Sequence, residues 1–275
     1  MKFDLDTAWK DATTLLRDNL RLLAVVAGVF YFIPYMAAML WIPGLAEISA
    51  GGFQPNAPEI QAKVNAMFAD YWWALVLLGI VQGMGLITLL ALLRRRANPT
   101  VAEAIQIGAT SVLSYLAASL LAGFLVGLAI LLVVAVTAII GVGVVQVLGA
   151  IVSIGITCYL FTKFSLSSAI IAIDGERNPL SALSGSWRLT KGHSLRLFFY
   201  YALLFIAYIV ISMLISLVLS LLFALGGAET QTFGQAFSAS LMNAVFVVIF
   251  ASVLAAVHAQ LRRLNAPPQQ VDEQY

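Results

Sequence analysis

Charge is what this sequence has least of. Of its 275 residues, 10% are Asp, Glu, Lys or Arg, while 61% are hydrophobic; an ordinary soluble domain carries about 25% charged residues. That shortage excludes a water-soluble fold, and the mean hydropathy of +0.96 places the chain among integral membrane proteins. Cys158 is the single cysteine, which excludes an internal disulfide; in an apolar run it acts as a small hydrophobe. His258 has no second histidine, cysteine or carboxylate nearby in sequence, so it completes no metal set. No HExxH, no glycine-rich phosphate loop and no nucleophile–base pair is found, which leaves catalysis and a bound cofactor without support. The N-terminal MKFDLDTAWKDATTLLRDNLRL lacks the uncharged apolar core of a cleavable signal, so Met1 is expected to remain in the mature protein.

What the chain does have is long apolar runs. They are unbroken and do not alternate with period two, so they read as helices and not as barrel strands. A helix needs about 20 apolar residues to cross the hydrocarbon core, and that ruler gives spans near 22–42, 71–93, 112–135, 145–170, 197–224 and 239–261. The third and fourth come from one run divided around Gly141 and Gly143, where glycine makes a tight turn cheap. Residues 265–275 read as a polar tail outside the single membrane domain. None of the six spans contains Asp or Glu, which argues against proton- or cation-coupled transport by intramembrane carboxylates.

Thirteen of the fifteen basic residues fall on one side of this arrangement, in the N-terminal segment, the second and fourth connections, and the tail. By the positive-inside rule both termini are cytoplasmic, in a multi-pass protein of a bacterial-type inner membrane. Trp41, Tyr71, Trp72 and Trp73 mark the opposite interface. In the outer connection, Ile60, Val64, Met67 and Phe68 recur at helical spacing, predicting an amphipathic helix on the outer leaflet.

Three segments share a pattern: DLDTAWKDATTLLRDNLRLLAVV, NPTVAEAIQIGATSVLSYLAASL and NPLSALSGSWRLTKGHSLRLFFY. Each begins with a helix-starting polar residue, runs through amphipathic turns and enters a span. Asn98–Pro99 and Asn178–Pro179 supply N-caps with proline at the first helical position. The predicted fold class is therefore an all-α membrane protein, a six-span bundle with amphipathic interfacial helices in three helix-plus-two-span pseudo-repeats. The units share one orientation, unlike the inverted repeats of many transporters.

In FTKFSLSSAIIAIDGERNPLSALSGSWRLTKG, residues 161–192, a span border and an acidic turn precede Ala-x-x-x-Ser-Trp-x-Leu-Thr-x-Gly. This stretch resembles the glycerophosphodiester phosphodiesterase membrane-domain family and the related YciC-like inner-membrane proteins. The family's name comes from members that add a TIM-barrel phosphodiesterase. Here only LNAPPQQVDEQY follows Arg263 and no His-Arg-Gly is present, so the resemblance implies a membrane domain without that enzyme.

The candidate site residues are Lys163, Trp187, Arg188, Lys191 and Arg196. Lys163 lies inside a span, where an unpaired ammonium is costly; it either snorkels to the interface or grips a lipid phosphate or acidic partner. Arg188, Lys191 and Arg196 either hold the loop inside or bind the headgroup of an anionic phospholipid. His193 beside them reads as a surface residue. Gly79/Gly83 and Gly123/Gly127 are GxxxG pairs expected to pack the bundle internally, and Gln82, Gln146 and Asn243 to satisfy polar groups between helices. The function expected is a non-catalytic, lipid-associated scaffold or accessory protein whose partners are membrane lipids or a further protein, with no nucleic acid. The alternative is a transporter or channel for a lipid or small apolar solute, its path lined by Gln146, Thr157 and Thr162.

Overall fold

The computed structural model describes residues 3–50, 58–93 and 99–265. Arg94, Arg95, Arg96, the Asn98 cap and the tail beyond Asn265 lie outside the described residues. Among those described there is no strand, and six helical segments are long and apolar enough to cross a membrane. The all-α, six-span architecture is thus the one that the apolar runs dictate.

The first span is α1 (Leu5–Ala27), a π-helical turn (Gly28–Phe32) and α2 (Ile33–Trp41) in one line. Asp4 caps it through the Thr7 backbone N–H. Pro34 has no N–H to offer the carbonyl four residues back, and just ahead of it the helix widens so that Ile33 N–H bonds Gly28 O. A short α3 (Leu45–Ala50) follows, then α4 (Pro58–Leu92) and α5 (Val101–Ile140). The turn into α6 (Gly143–Phe164) falls at the expected glycine, Gly141, with φ +71°. The fourth span ends through α7 (Ser167–Ala169) and a second π-helical turn, Ile170–Asp174, stopped by Gly175 in the left-handed region. Then come α8 (Pro179–Leu189), α9 (Ser194–Ala224) and α10 (Ala228–Asn265).

The interfacial helices depart from expectation. The amphipathic start of the chain from Leu5 is continuous with the first span, residues 101–111 are the opening of α5, and the outer segment 58–73 is the opening of α4. Only the third unit keeps a separate surface helix. The reason is local: α8 ends at Thr190, and Gly192 at φ +82° turns the chain before α9. The first two entries have neither proline nor positive-φ glycine to break them. The cap of α5 also differs from expectation. Thr100 and Glu103 form a capping box there, in place of an Asn98–Pro99 start. Asn178 and Pro179 cap α8 as the sequence reads.

The core lies between α1, α4 and α10, where Leu23, Ile87, Leu89, Leu90, Leu254 and Leu261 are fully buried. The most apolar windows of α5 and α9 have no buried residue, as suits helices that turn much of their surface to lipid. Trp41 makes edge contacts with Tyr71 and Trp73 at 6.1 and 5.5 Å, and Trp72 is exposed, an arrangement that suits a membrane interface.

The GxxxG expectation fails in part. At Gly79, Gly123 and Gly127 an added Cβ would meet nothing within 4 Å, whereas at Gly83 it would come within 2.9 Å of Tyr115. A close helix approach is found instead at Gly108, where a Cβ would collide with Thr88 Oγ1 and lie 2.9 Å from the Met84 carbonyl oxygen. Gly108→Ala is therefore expected to lower stability by about 1–3 kcal/mol through overpacking. Gly123→Ala should be neutral or slightly stabilising, since Ala is the better helix former. Thermal unfolding of the two variants in the same detergent checks this.

Candidate functional site

The basic stretch after the fourth span is organised by one buried hydroxyl. Ser186 Oγ donates to Lys163 O at 2.6 Å and accepts from Leu166 N–H at 3.2 Å, so α8 is pinned to the carboxyl end of α6. The break after α6 frees these backbone groups from the helical ladder, and a membrane-embedded segment must satisfy them internally. Other signature residues serve the same docking: Ala182 and Leu189 are buried, and Thr190 Oγ1 donates to Ser186 O.

Docking α8 this way sends its remaining faces in two directions. Trp187 turns toward α6, and Lys163 Nζ lies 5.1 Å from its ring centroid and 5.6 Å from that of Tyr159. Trp187 also meets Phe164 at 5.8 Å and Tyr159 at 5.9 Å. Lys163 is only 4% exposed, so its ammonium is held by aromatic faces within the protein, a cation–π arrangement whose value grows with desolvation.

On the other side, Ser181, Ser184, Gly185 and Arg188, at helical spacing i, i+3, i+4 and i+7, form one wall of a cleft of about 570 Å³. Asp174, Gly175, Glu176 and Arg262 line it opposite, and Arg188 and Arg262 also line a smaller adjoining hollow with Asn265. Both carboxylates are engaged. Asp174 Oδ2 lies 3.0 Å from His258 Nε2 and accepts from Arg262 Nη2, while Glu176 Oε1 accepts from Asn178 N–H at 2.9 Å. Among the described residues Arg188 forms no ion pair.

The five candidate residues are thus not one cluster. Lys163 and Trp187 pair with each other, and Arg188 faces the cleft. Lys191 is exposed beyond the end of α8, and Arg196 Nη1 donates to Phe3 O at 3.0 Å, tying the start of the chain to α9. Gln260 Nε2 adds a second tie, to Asp4 O at 3.1 Å. Partial burial, with Arg196 nearby, pushes the His193 imidazole below its ordinary range, so it adds little positive charge at neutral pH.

Arg262, Asp174 and His258 were not identified as a group from sequence, because 84 residues separate Asp174 from His258 and only the fold unites them. The serine stripe of α8 was readable from its spacing. The polar residues proposed for a transport path do not converge: Thr157 and Thr162 bond back to their own helix at Ser153 O and Cys158 O, and Gln146 is exposed. Gln82 Nε2 and Asn243 Nδ2 are buried without a hydrogen-bond partner, so they do not satisfy one another as expected. Among the described residues no group of three His, Cys, Asp or Glu could hold a metal ion.

Residues 5–263 match a domain family of unknown function, DUF7847. The chain belongs to this family. No curated protein and no solved structure matches it. A six-span membrane domain is therefore what this DUF7847 chain comprises over nearly all its length.

Ser186→Ala leaves a buried N–H and a buried carbonyl of this DUF7847 chain without their partner. We expect a loss of about 1–3 kcal/mol, read as a lower unfolding midpoint together with faster hydrogen exchange across 179–189. Unchanged exchange there would mean that Ser186 does not hold α8.

Proposed function

We propose that the chain is a non-catalytic, lipid-associated accessory protein of the membrane, and that its α8 cleft receives the phosphate of an anionic phospholipid headgroup. The observation that carries this reading is the convergence of Arg188, which has no ion pair among the described residues, and Arg262 on one cleft at a span end. A guanidinium fork suits phosphate oxygens, and the Ser181 and Ser184 side chains add hydroxyl donors beside it. Asp174 holds Arg262 in place and offsets part of its charge, which leaves Arg188 as the principal phosphate contact. The excess of Lys and Arg on the face that carries both termini supports a cytoplasmic placement of the cleft. A protein partner with an acidic surface would use the same arginines.

Native mass spectrometry of the protein released from its own membrane tests the reading. The parent protein should retain an anionic phospholipid in the cleft, and Arg188→Ala with Arg262→Ala should cut the occupancy of one such lipid per chain by about tenfold or more, since hydrogen bonds to charged groups contribute about 1.5–3 kcal/mol each. Arg188→Ala with Lys191→Ala should lose less, because Lys191 lies outside the cleft lining. Adducts indifferent to all of these substitutions would reduce the basic residues to orientation signals.

A further inference from the structure

A second concavity lies on another side of the bundle, between α1 and α10. Leu16, Leu20, Ala24 and Gly28 form one wall, and Phe237, Leu241 and Val248 belong to the other, enclosing about 390 Å³ with almost no polar lining. The groove reaches from Leu16 to Phe32, about 24 Å at 1.5 Å per residue. Both walls belong to membrane-spanning segments, so the part of the groove from Ala24 to Phe32 faces the hydrocarbon layer. Gly28, the first residue of the π-helical turn, has open space where a side chain would be.

Charge settles which molecule fits. Trp41 marks one interface, and 20 residues back, about 30 Å or one hydrocarbon thickness, lies Arg21. Arg17 and Arg21 are exposed, one turn apart, and neither has an ion pair among the described residues. At 100° per residue both fall on the edge of the α1 face that carries Leu16, Leu20, Ala24 and Gly28, while Asp18 falls on the far side of the helix. A basic pair at headgroup level thus flanks the terminal end of the groove, beside Leu16 and Leu20, and the apolar slot runs on from there toward the midplane.

We propose that this groove is a binding site for a single anionic phospholipid of the leaflet on the terminal face, its phosphate on Arg17 and Arg21 and one acyl chain along α1 and α10 as far as Gly28 and Phe32. The site is independent of the α8 cleft and holds the whole lipid, where the cleft would hold a headgroup alone.

The test is a titration of the full chain in neutral detergent with phosphatidylglycerol or phosphatidylcholine, followed by native mass spectrometry. The parent protein should retain phosphatidylglycerol in preference to phosphatidylcholine. Arg17→Gln with Arg21→Gln should lower its occupancy about thirtyfold, the effect of two basic side chains at an anionic surface, and Arg17→Lys with Arg21→Lys should restore it. Gly28→Leu, which fills the slot, should displace lipid while Gly28→Ala does not, with equal unfolding midpoints showing that both fold. The parent protein should carry two phosphatidylglycerols per chain: Arg188→Ala with Arg262→Ala should remove the one in the α8 cleft and keep the one that Arg17→Gln with Arg21→Gln removes, which separates the two sites. Equal retention by parent, Gln and Leu variants would overturn the proposal. So would equal retention of phosphatidylcholine, or disulfide-linked dimers of Gly28→Cys, which would show that a second copy covers the groove.

Discussion

The double hydrogen bond of Ser186 is the contact on which the terminal face of the bundle depends. In water the free carbonyl of Lys163 and the N–H of Leu166 would find solvent; at the end of a span they must find protein. A hydroxyl is small enough to reach both and is donor and acceptor at once. Because it sits in the middle of α8, it fixes that helix's rotation. Trp187 must then turn onto Lys163, and Arg188 must turn away into the cleft.

This view changes the meaning of the Ser-Trp-x-Leu-Thr-x-Gly stretch. Its residues resemble a family signature, and they mostly build a joint: the serine pins, the tryptophan shields a buried ammonium, leucine and threonine close the underside, and Gly192 reverses the chain. The positions between them, Ser181, Ser184, Gly185 and Arg188, are the ones left to meet a ligand. Asp174 and His258 serve the joint from the other side, holding Arg262 against the cleft with the help of a π-helical turn.

The number of spans, the Gly141 turn and the Asn178–Pro179 cap were all legible in the sequence, because each rests on local chemistry: apolar length, backbone freedom at glycine, and capping. Helix continuity was less legible. An amphipathic stretch followed by a span reads as two helices, yet without a breaker the backbone runs on, as at Leu5–Ala27 and Pro58–Leu92. The site was legible only in part. Arg188 could be chosen from its charge, but Arg262 and Asp174 come from segments 88 residues apart, and the inward turn of Lys163 depends on a ring that α8 delivers. The GxxxG spacing misled at Gly123 and Gly127 because the pattern states that helices are able to approach there, not that a neighbour is present.

The central claim is that α8, once pinned, offers Arg188 to a lipid phosphate. Phosphorus-dephased carbon NMR on protein labelled at the arginine side-chain carbon, in bilayers containing phosphatidylglycerol, tests it most directly, with Arg188→Lys used to assign the signal. The account predicts that the Arg188 guanidinium carbon is dephased by a headgroup phosphorus at contact distance, and that Ser186→Ala weakens the effect by loosening α8. An Arg188 signal untouched by phosphorus, while other arginines respond, would contradict it.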